Sequence, residues 1–208
     1  KYSVRVIIQA STQLLINNLK KIIMKTNKFL PLILIFILSA SSCSKDDEST
    51  PEPVNEEELI TTLEVTLMNN DLSSIVKLTM KDLDGDGPNA PVITVSGNLI
   101  SGTSYDGVVK VLNESEFPPE DITLEVEEED LEHQFFFTVG GGLDVTTSYS
   151  NFDSAGNNLG TELKLEAGSV SNGTLTVTLR HEPAKPNTGL ADAGGETDIE
   201  ATFNVSIE

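Results

Sequence analysis

The chain has 208 residues, one cysteine, no tryptophan and a formal net charge of −20. That length accommodates one domain with appendages, and a single cysteine excludes an intramolecular disulfide framework or a cysteine-rich zinc motif. Charge of this sign and size disfavours nucleic acid and anionic membrane surfaces as partners and favours solubility.

The charge is unevenly spread: six of the thirteen lysines and arginines precede Cys43, whereas all 33 acids follow it. Residues 1–23 begin with Lys1 and precede a complete secretory layout that starts at Met24, so they read as a non-native upstream extension. In 24-MKTNKFLPLILIFILSASSC-43, Lys25 and Lys28 form a basic n-region, Phe29 to Leu38 an apolar h-region, and Ser39 to Ser42 a small-residue stretch. The h-region is too short to span a bilayer, which takes about 20 apolar residues. Residues 24–42 are therefore expected to be a signal peptide. Small residues directly before a cysteine resemble a lipoprotein processing site, although Ala40 stands where leucine is commonest. That resemblance implies that Cys43 becomes an acylated N-terminus carrying palmitate-type chains, which together hold a protein firmly on a membrane.

Residues 43–57, with 44-SKDDESTPEPVNEE-57, are acidic and contain two prolines. They bury too little apolar surface to fold and are expected to form a disordered tether. Ser44-Lys45-Asp46-Asp47-Glu48 resembles the surface-export signal of Bacteroidota lipoproteins, which implies an outer-membrane protein exposed at the cell surface.

Beyond the tether, residues 58–208 alternate with a period of two. Expected strands are 59–69, 75–82, 91–99, 104–114, 121–129, 133–139, 143–152, 161–167, 173–181 and 198–208. Leu63, Val65 and Leu67 share a face of the first. Ile122, Leu124 and Val126 share a face of the fifth. Ile199, Ala201, Phe203, Val205 and Ile207 share a face of the last. Turn signals at 84-DGDGPN-89, 140-GGG-142, 153-DSAGNN-158 and 193-AGGE-196 separate the runs. No stretch after residue 58 has a clear amphipathic helical period. The expected fold is all-β: an antiparallel β-sandwich, immunoglobulin-like in architecture, with a barrel as the alternative. Phe135, Phe136, Phe137, Phe152 and Phe203 are its bulky core candidates.

Three stretches carry candidate chemistry. In 82-DLDGDGPNAPVI-93, Asp82, Asp84 and Asp86, with Gly87 next, match the opening of a calcium loop. Ile93 and Pro88 depart from the pattern, so this is at most a reduced loop, and an Asp/Gly turn explains it as well. In 125-EVEEEDLEHQFFF-137 the acids run into His133, where Glu132 or Asp130 can share a metal; a solvated loop or strand edge explains the run as well. In 180-RHEPAKPNTGLADAGGETD-198, His181 lies in phase with Leu175, Val177 and Leu179, so it faces the core side at the sandwich rim. A loop as long as the one that follows is often functional. His133 and His181 are the only histidines, so any transition-metal site combines them with carboxylates such as Glu132, Glu182 or Asp198. Asp153-Ser154-Ala155 resembles the Bacteroidota O-glycosylation motif and marks Ser154. No nucleophile elbow, phosphate loop or catalytic triad pattern is present, and the chain reads as a binding protein and not an enzyme.

The stretches DLDGDGPNAPVITVSGNL, EEEDLEHQFFFT and LRHEPAKPN…DAGGETDIEATFNV resemble a family of small flavobacterial outer-membrane lipoproteins, over Met24 to Glu208. The resemblance implies a membrane anchor on Cys43 and points to metal capture beside outer-membrane transport; with the residues above, the expected function is capture or presentation of zinc or calcium to an outer-membrane receptor or transporter. The alternative is a metal-independent adhesion or protein-interaction module.

Overall fold

The computed structural model describes residues 59–70, 72–85 and 87–208. The signal peptide, Cys43, the tether and Asp86 lie outside the described residues. Everything described belongs to one compact unit, Asn55–Glu208. Its elements are β1 (Thr62–Asn69), β2 (Ile75–Lys81), β3 (Val92–Val95), β4 (Ser104–Asn113), β5 (Glu120–Asp121), α1 (Ile122–Glu128), β6 (His133–Gly140), β7 (Val145–Tyr149), β8 (Glu162–Ala167), β9 (Ser171–His181), α2 (Leu190–Ala193) and β10 (Glu196–Ile207). No helix among them is long and apolar enough to cross a membrane.

The strands form two antiparallel sheets. The larger has the order β3-β2-β1-β4-β8-β7, with β5 pairing the end of β4; the smaller has the order β10-β9-β6. They pack face to face as a sandwich because the long strands β1, β2, β4, β8 and β10 alternate. Leu63, Val65 and Leu67 of β1, Val76, Leu78 and Met80 of β2, and Leu163, Leu165 and Ala167 of β8 point inward. Opposite them stand Leu175, Val177 and Leu179 of β9 and the five apolar residues of β10, Ile199 to Ile207. The buried Tyr105 hydroxyl accepts the Ile100 N–H at 2.9 Å and meets Ser74 Oγ at 3.2 Å, so its polar tip is satisfied inside the core. Both edges of the small sheet are engaged. Leu99 exchanges backbone hydrogen bonds with the C-terminal end of β10, and Leu159 O accepts the Phe135 N–H of β6 at 2.8 Å.

One expected strand is a helix. Residues 121–129 keep only Asp121 in the short β5; Ile122 to Glu128 form α1. The expectation failed because Ile122 and Val126, four residues apart, satisfy a helical period as well as a strand period. They are the buried pair, while Leu124, which a strand would bury beside them, is 60% exposed. Glutamates are good helix formers, which favours the helix. Thr123 fixes the helix on β4: its hydroxyl accepts the Val111 N–H at 2.9 Å and donates to Val111 O at 3.2 Å. The phenylalanine expectation also needs correction. Phe152 is 56% exposed, because it lies in the loop after β7 and not in a strand. Phe136 is buried, but it alternates with Phe135 and so lies on the outer face of the small sheet.

The helix makes a direct test. Leu124→Glu should change stability by no more than about 0.5 kcal/mol in chemical denaturation, as expected for a surface site. Val126→Ala should cost about 1–3 kcal/mol by opening the core. A large loss for Leu124→Glu would restore the strand assignment.

Candidate functional site

The site begins as a strand-register effect. β6 and β9 pair antiparallel with His133 directly opposite His181, followed by Phe135 opposite Leu179 and Phe137 opposite Val177. Both imidazoles therefore leave the sheet on its core face, at the rim where the sandwich ends. Directly opposed side chains on antiparallel strands are close neighbours, and the two rings stack with centroids 4.8 Å apart and planes 19° from parallel.

Asp198 reaches the same place through a β-bulge. In the β9–β10 ladder Thr197 pairs with Arg180 and Ile199 pairs with Leu179, leaving Asp198 as the extra residue. In a regular strand Asp198 would face away from Ile199 and out of the core. The extra residue re-aims it instead, and its carboxylate comes to the histidines. Asp198 Oδ1 is 3.9 Å from His181 Nδ1, and Oδ2 is 3.9 Å from His133 Nε2. The side chains are 5% exposed for His133, 6% for Asp198 and 13% for His181. One ligand atom from each of the three lies within 4.8 Å of the others.

The electrostatics favour a neutral His133. Burial pushes its pKa below the usual imidazole value, with His181 adding to that, against the opposing pull of the Glu129 carbonyl and the Glu129 and Glu132 charges. Its Nδ1 lies 3.3 Å from Glu129 O. A carbonyl can only accept, so Nδ1 carries the hydrogen and Nε2 is the lone-pair atom. That lone pair belongs to the nitrogen nearest Asp198. A histidine whose far nitrogen donates to a carbonyl while the near one keeps a lone pair is the arrangement of a metal ligand held by an outer partner.

The other candidate residues fall into place around this group. Glu132 and Glu182 form a second, more exposed trio with His181, again within 4.8 Å. Glu132 Oε2 approaches His181 from the other side, 4.0 Å from Nε2. At that distance it acts on the ring by charge and not by a direct hydrogen bond. Glu182 adopts φ 48°, and its N–H donates to Glu132 O at 2.6 Å. Close by, Gly195 has φ +69°, and a Cβ there would lie 2.2 Å from His181 O, so only glycine fits where the chain returns to the rim.

Two sequence candidates stand apart from the histidines. In the 82–87 loop the Asp84 carboxylate accepts the Asn89 side-chain N–H at 2.7 Å and its backbone N–H at 3.3 Å, so it closes the loop on itself; Asp86 lies outside the described residues. Ser154 is exposed in the turn after β7, and its Oγ donates to Asp130 Oδ1 at 2.9 Å.

Sequence reasoning missed Lys185. Its only signal is a cation between two prolines in an acidic loop. Its ammonium donates to Asp130 O and His133 O, both at 2.6 Å, and to Asp153 Oδ2 at 3.1 Å. All three N–H donors are used, and the side chains are 6% exposed for Lys185 and 0% for Asp153. Asp153 also accepts the Ala155 and Asn157 backbone N–H groups at 3.0 and 2.7 Å. Its pKa is held below the ordinary carboxylate value: the Asn157 backbone hydrogen bond and Lys185 outweigh burial, the largest single influence, which acts upward.

Breaking this buried pair has a defined signature. Lys185→Met should cost about 3 kcal/mol, because it strands a buried carboxylate. Asp153 stabilises the fold above its unfolded pKa of about 3.9, and that contribution is lost as pH falls through the lower folded value. Asp153→Asn should therefore flatten the loss of stability on the acid side of pH 4, as read by urea denaturation at stepped pH. An unchanged acid profile would show that the pair is not linked to folding. No protein-family model, no curated protein and no solved structure matches this chain.

Proposed function

We propose that the protein is a lipid-anchored, non-enzymatic binding module that holds a divalent transition metal between His133, His181 and Asp198 and presents it to an outer-membrane partner. The observation that carries the reading is the convergence of two imidazoles and a carboxylate at one nearly buried point, which required both a cross-strand histidine pair and a bulge.

Nitrogen donors select the metal class. Imidazole suits zinc, copper and nickel, whereas calcium takes oxygen ligands. Zinc is therefore preferred to calcium at this point. Ligand atoms around tetrahedral zinc stand about 3.3 Å apart, given bonds of about 2.0–2.2 Å. The three ligand atoms, within 4.8 Å of one another, would have to draw together to that value by side-chain rotation on binding, with water as the fourth ligand. The acidic chain supports cation capture as well, since a field of one sign concentrates the opposite ion. The anchor and surface location rest on Cys43 and the residues after it. The second reading is a metal-independent interaction module, in which the stacked rings and Asp198 simply close the rim; the ring stacking itself favours it.

Calorimetry on the Asn55–Glu208 unit separates the two. One zinc ion per chain is expected, with no heat from calcium at this site. His181→Ala and Asp198→Asn should each weaken zinc binding about a hundredfold or more, and Glu132→Gln about tenfold, as outer partners do. Absence of zinc binding, or binding that survives His181→Ala, would sink the metal reading and leave the interaction module. For the anchor, Cys43→Ser should abolish incorporation of labelled palmitate and move the full-length protein from the membrane to the soluble fraction.

A further inference from the structure

His133 and Gln134 are successive residues of β6, so their side chains leave opposite faces of the small sheet. On Gln134's side lies a cleft of about 180 Å³, lined by Gln134, Gly156, Asn157, Asn158, Pro186 and Asn187. Four of these six residues are carboxamides and none is charged, in a chain with 33 acids. Asp153, which holds the Asn157 side chain, and Lys185, next to Pro186 in the chain, are buried and paired with each other.

The amides are held in place before any ligand arrives. Gln134 is buried. Asn187 Nδ2 donates to Gln134 Oε1 at 2.7 Å and to Ala184 O at 3.0 Å, and Gln134 Nε2 donates at 3.5 Å to Asn187 Oδ1 and to the Tyr149 hydroxyl, so these two amides brace each other. Asn157 Nδ2 is held by the Asp153 carboxylate at 3.2 and 3.4 Å, which leaves its oxygen available as an acceptor. The Asn158 side chain makes no hydrogen bond within the described residues, although it lines the cleft.

We propose that this cleft binds a neutral sugar residue through adjacent hydroxyl groups. Asn158 offers a donor and an acceptor side by side and the Asn157 oxygen adds a further acceptor, while each hydroxyl of a vicinal pair both donates and accepts. An anionic ligand would meet the repulsion of an acidic protein with no counter-charge in the cleft, and a cation would meet no carboxylate. Pro186 supplies an apolar ring against which the C–H face of a sugar can pack. Pockets for drug-sized molecules run to roughly 300–1,000 Å³, so a cleft of about 180 Å³ holds a single ring, with the rest of a glycan in solvent. The proposal does not depend on a metal at the histidines.

The test is nuclear magnetic resonance on the Asn55–Glu208 unit in chelator, following the side-chain amide signals of Gln134, Asn157, Asn158 and Asn187. The probes are glucose, galactose and mannose, with glucuronate as the charged comparison. At least one neutral sugar should shift these four signals saturably. Asn158→Ala should weaken that sugar about tenfold, as loss of a directed hydrogen bond does. Asn158→Asp, which keeps the shape, removes the donor and adds a charge, should do at least the same. Both variants should melt as the parent does, because the Asn158 side chain makes no hydrogen bond among the described residues. No shift with any neutral sugar overturns the assignment. So does a shift that persists in both variants, or a stronger response to glucuronate than to every neutral probe.

Discussion

The Lys185 ammonium is the constraint on which the functional end of the molecule depends. It is buried, it carries a full charge, and it needs three acceptors at once. Those acceptors come from three places in sequence: the turn after α1, the first residue of β6, and the turn after β7. The long segment between β9 and β10 is thereby pinned to both turns. Because one acceptor is the backbone carbonyl of His133, the same contact fixes the start of β6 beneath the imidazole pair. Because another is the Asp153 carboxylate, it also positions the Asn157–Asn158 wall of the amide cleft. One cation thus sets the geometry on both faces of the small sheet.

The two faces differ in a way that follows from strand geometry alone. His133 and Gln134 are neighbours in the chain, yet one belongs to a buried rim of imidazole and carboxylate and the other to a polar cleft. Their environments differ in the ligands they suit. The rim converges lone pairs on a point and suits a small cation. The cleft spreads neutral donors and acceptors over a surface and suits hydroxyl groups.

Much of the fold was legible because its strands alternate strictly. Leu63, Val65 and Leu67, and Ile199 through Ile207, declare their faces by spacing alone, and turn residues separate the runs. The failure at 121–129 was of the opposite kind: Ile122, Leu124 and Val126 fit two periods, and a propensity for helix decided between them only once β4 offered Thr123 a place to bond. For the site, the phase of His181 with Leu179 was readable, so its face was too. Its pairing with His133 was not, since register between distant strands leaves no local trace. Asp198 was a candidate by composition, but strict alternation with Ile199 would have turned it outward. Only the bulge brings it in. Lys185 was invisible because its partners are mostly backbone carbonyls, which every sequence has.

That bulge has a consequence for how such a protein changes over generations. It is one residue inserted in a ladder that is otherwise regular on both sides. Removing a single codon there would let β9 and β10 pair without interruption, keeping every apolar contact from Ile199 onward, while the carboxylate vanished from beside the histidines. Gain and loss of the third rim group are therefore separated by one small genetic step that the sandwich itself would scarcely register. Descendants of the same fold can differ in whether they possess this trio while remaining nearly identical in the rest of their architecture.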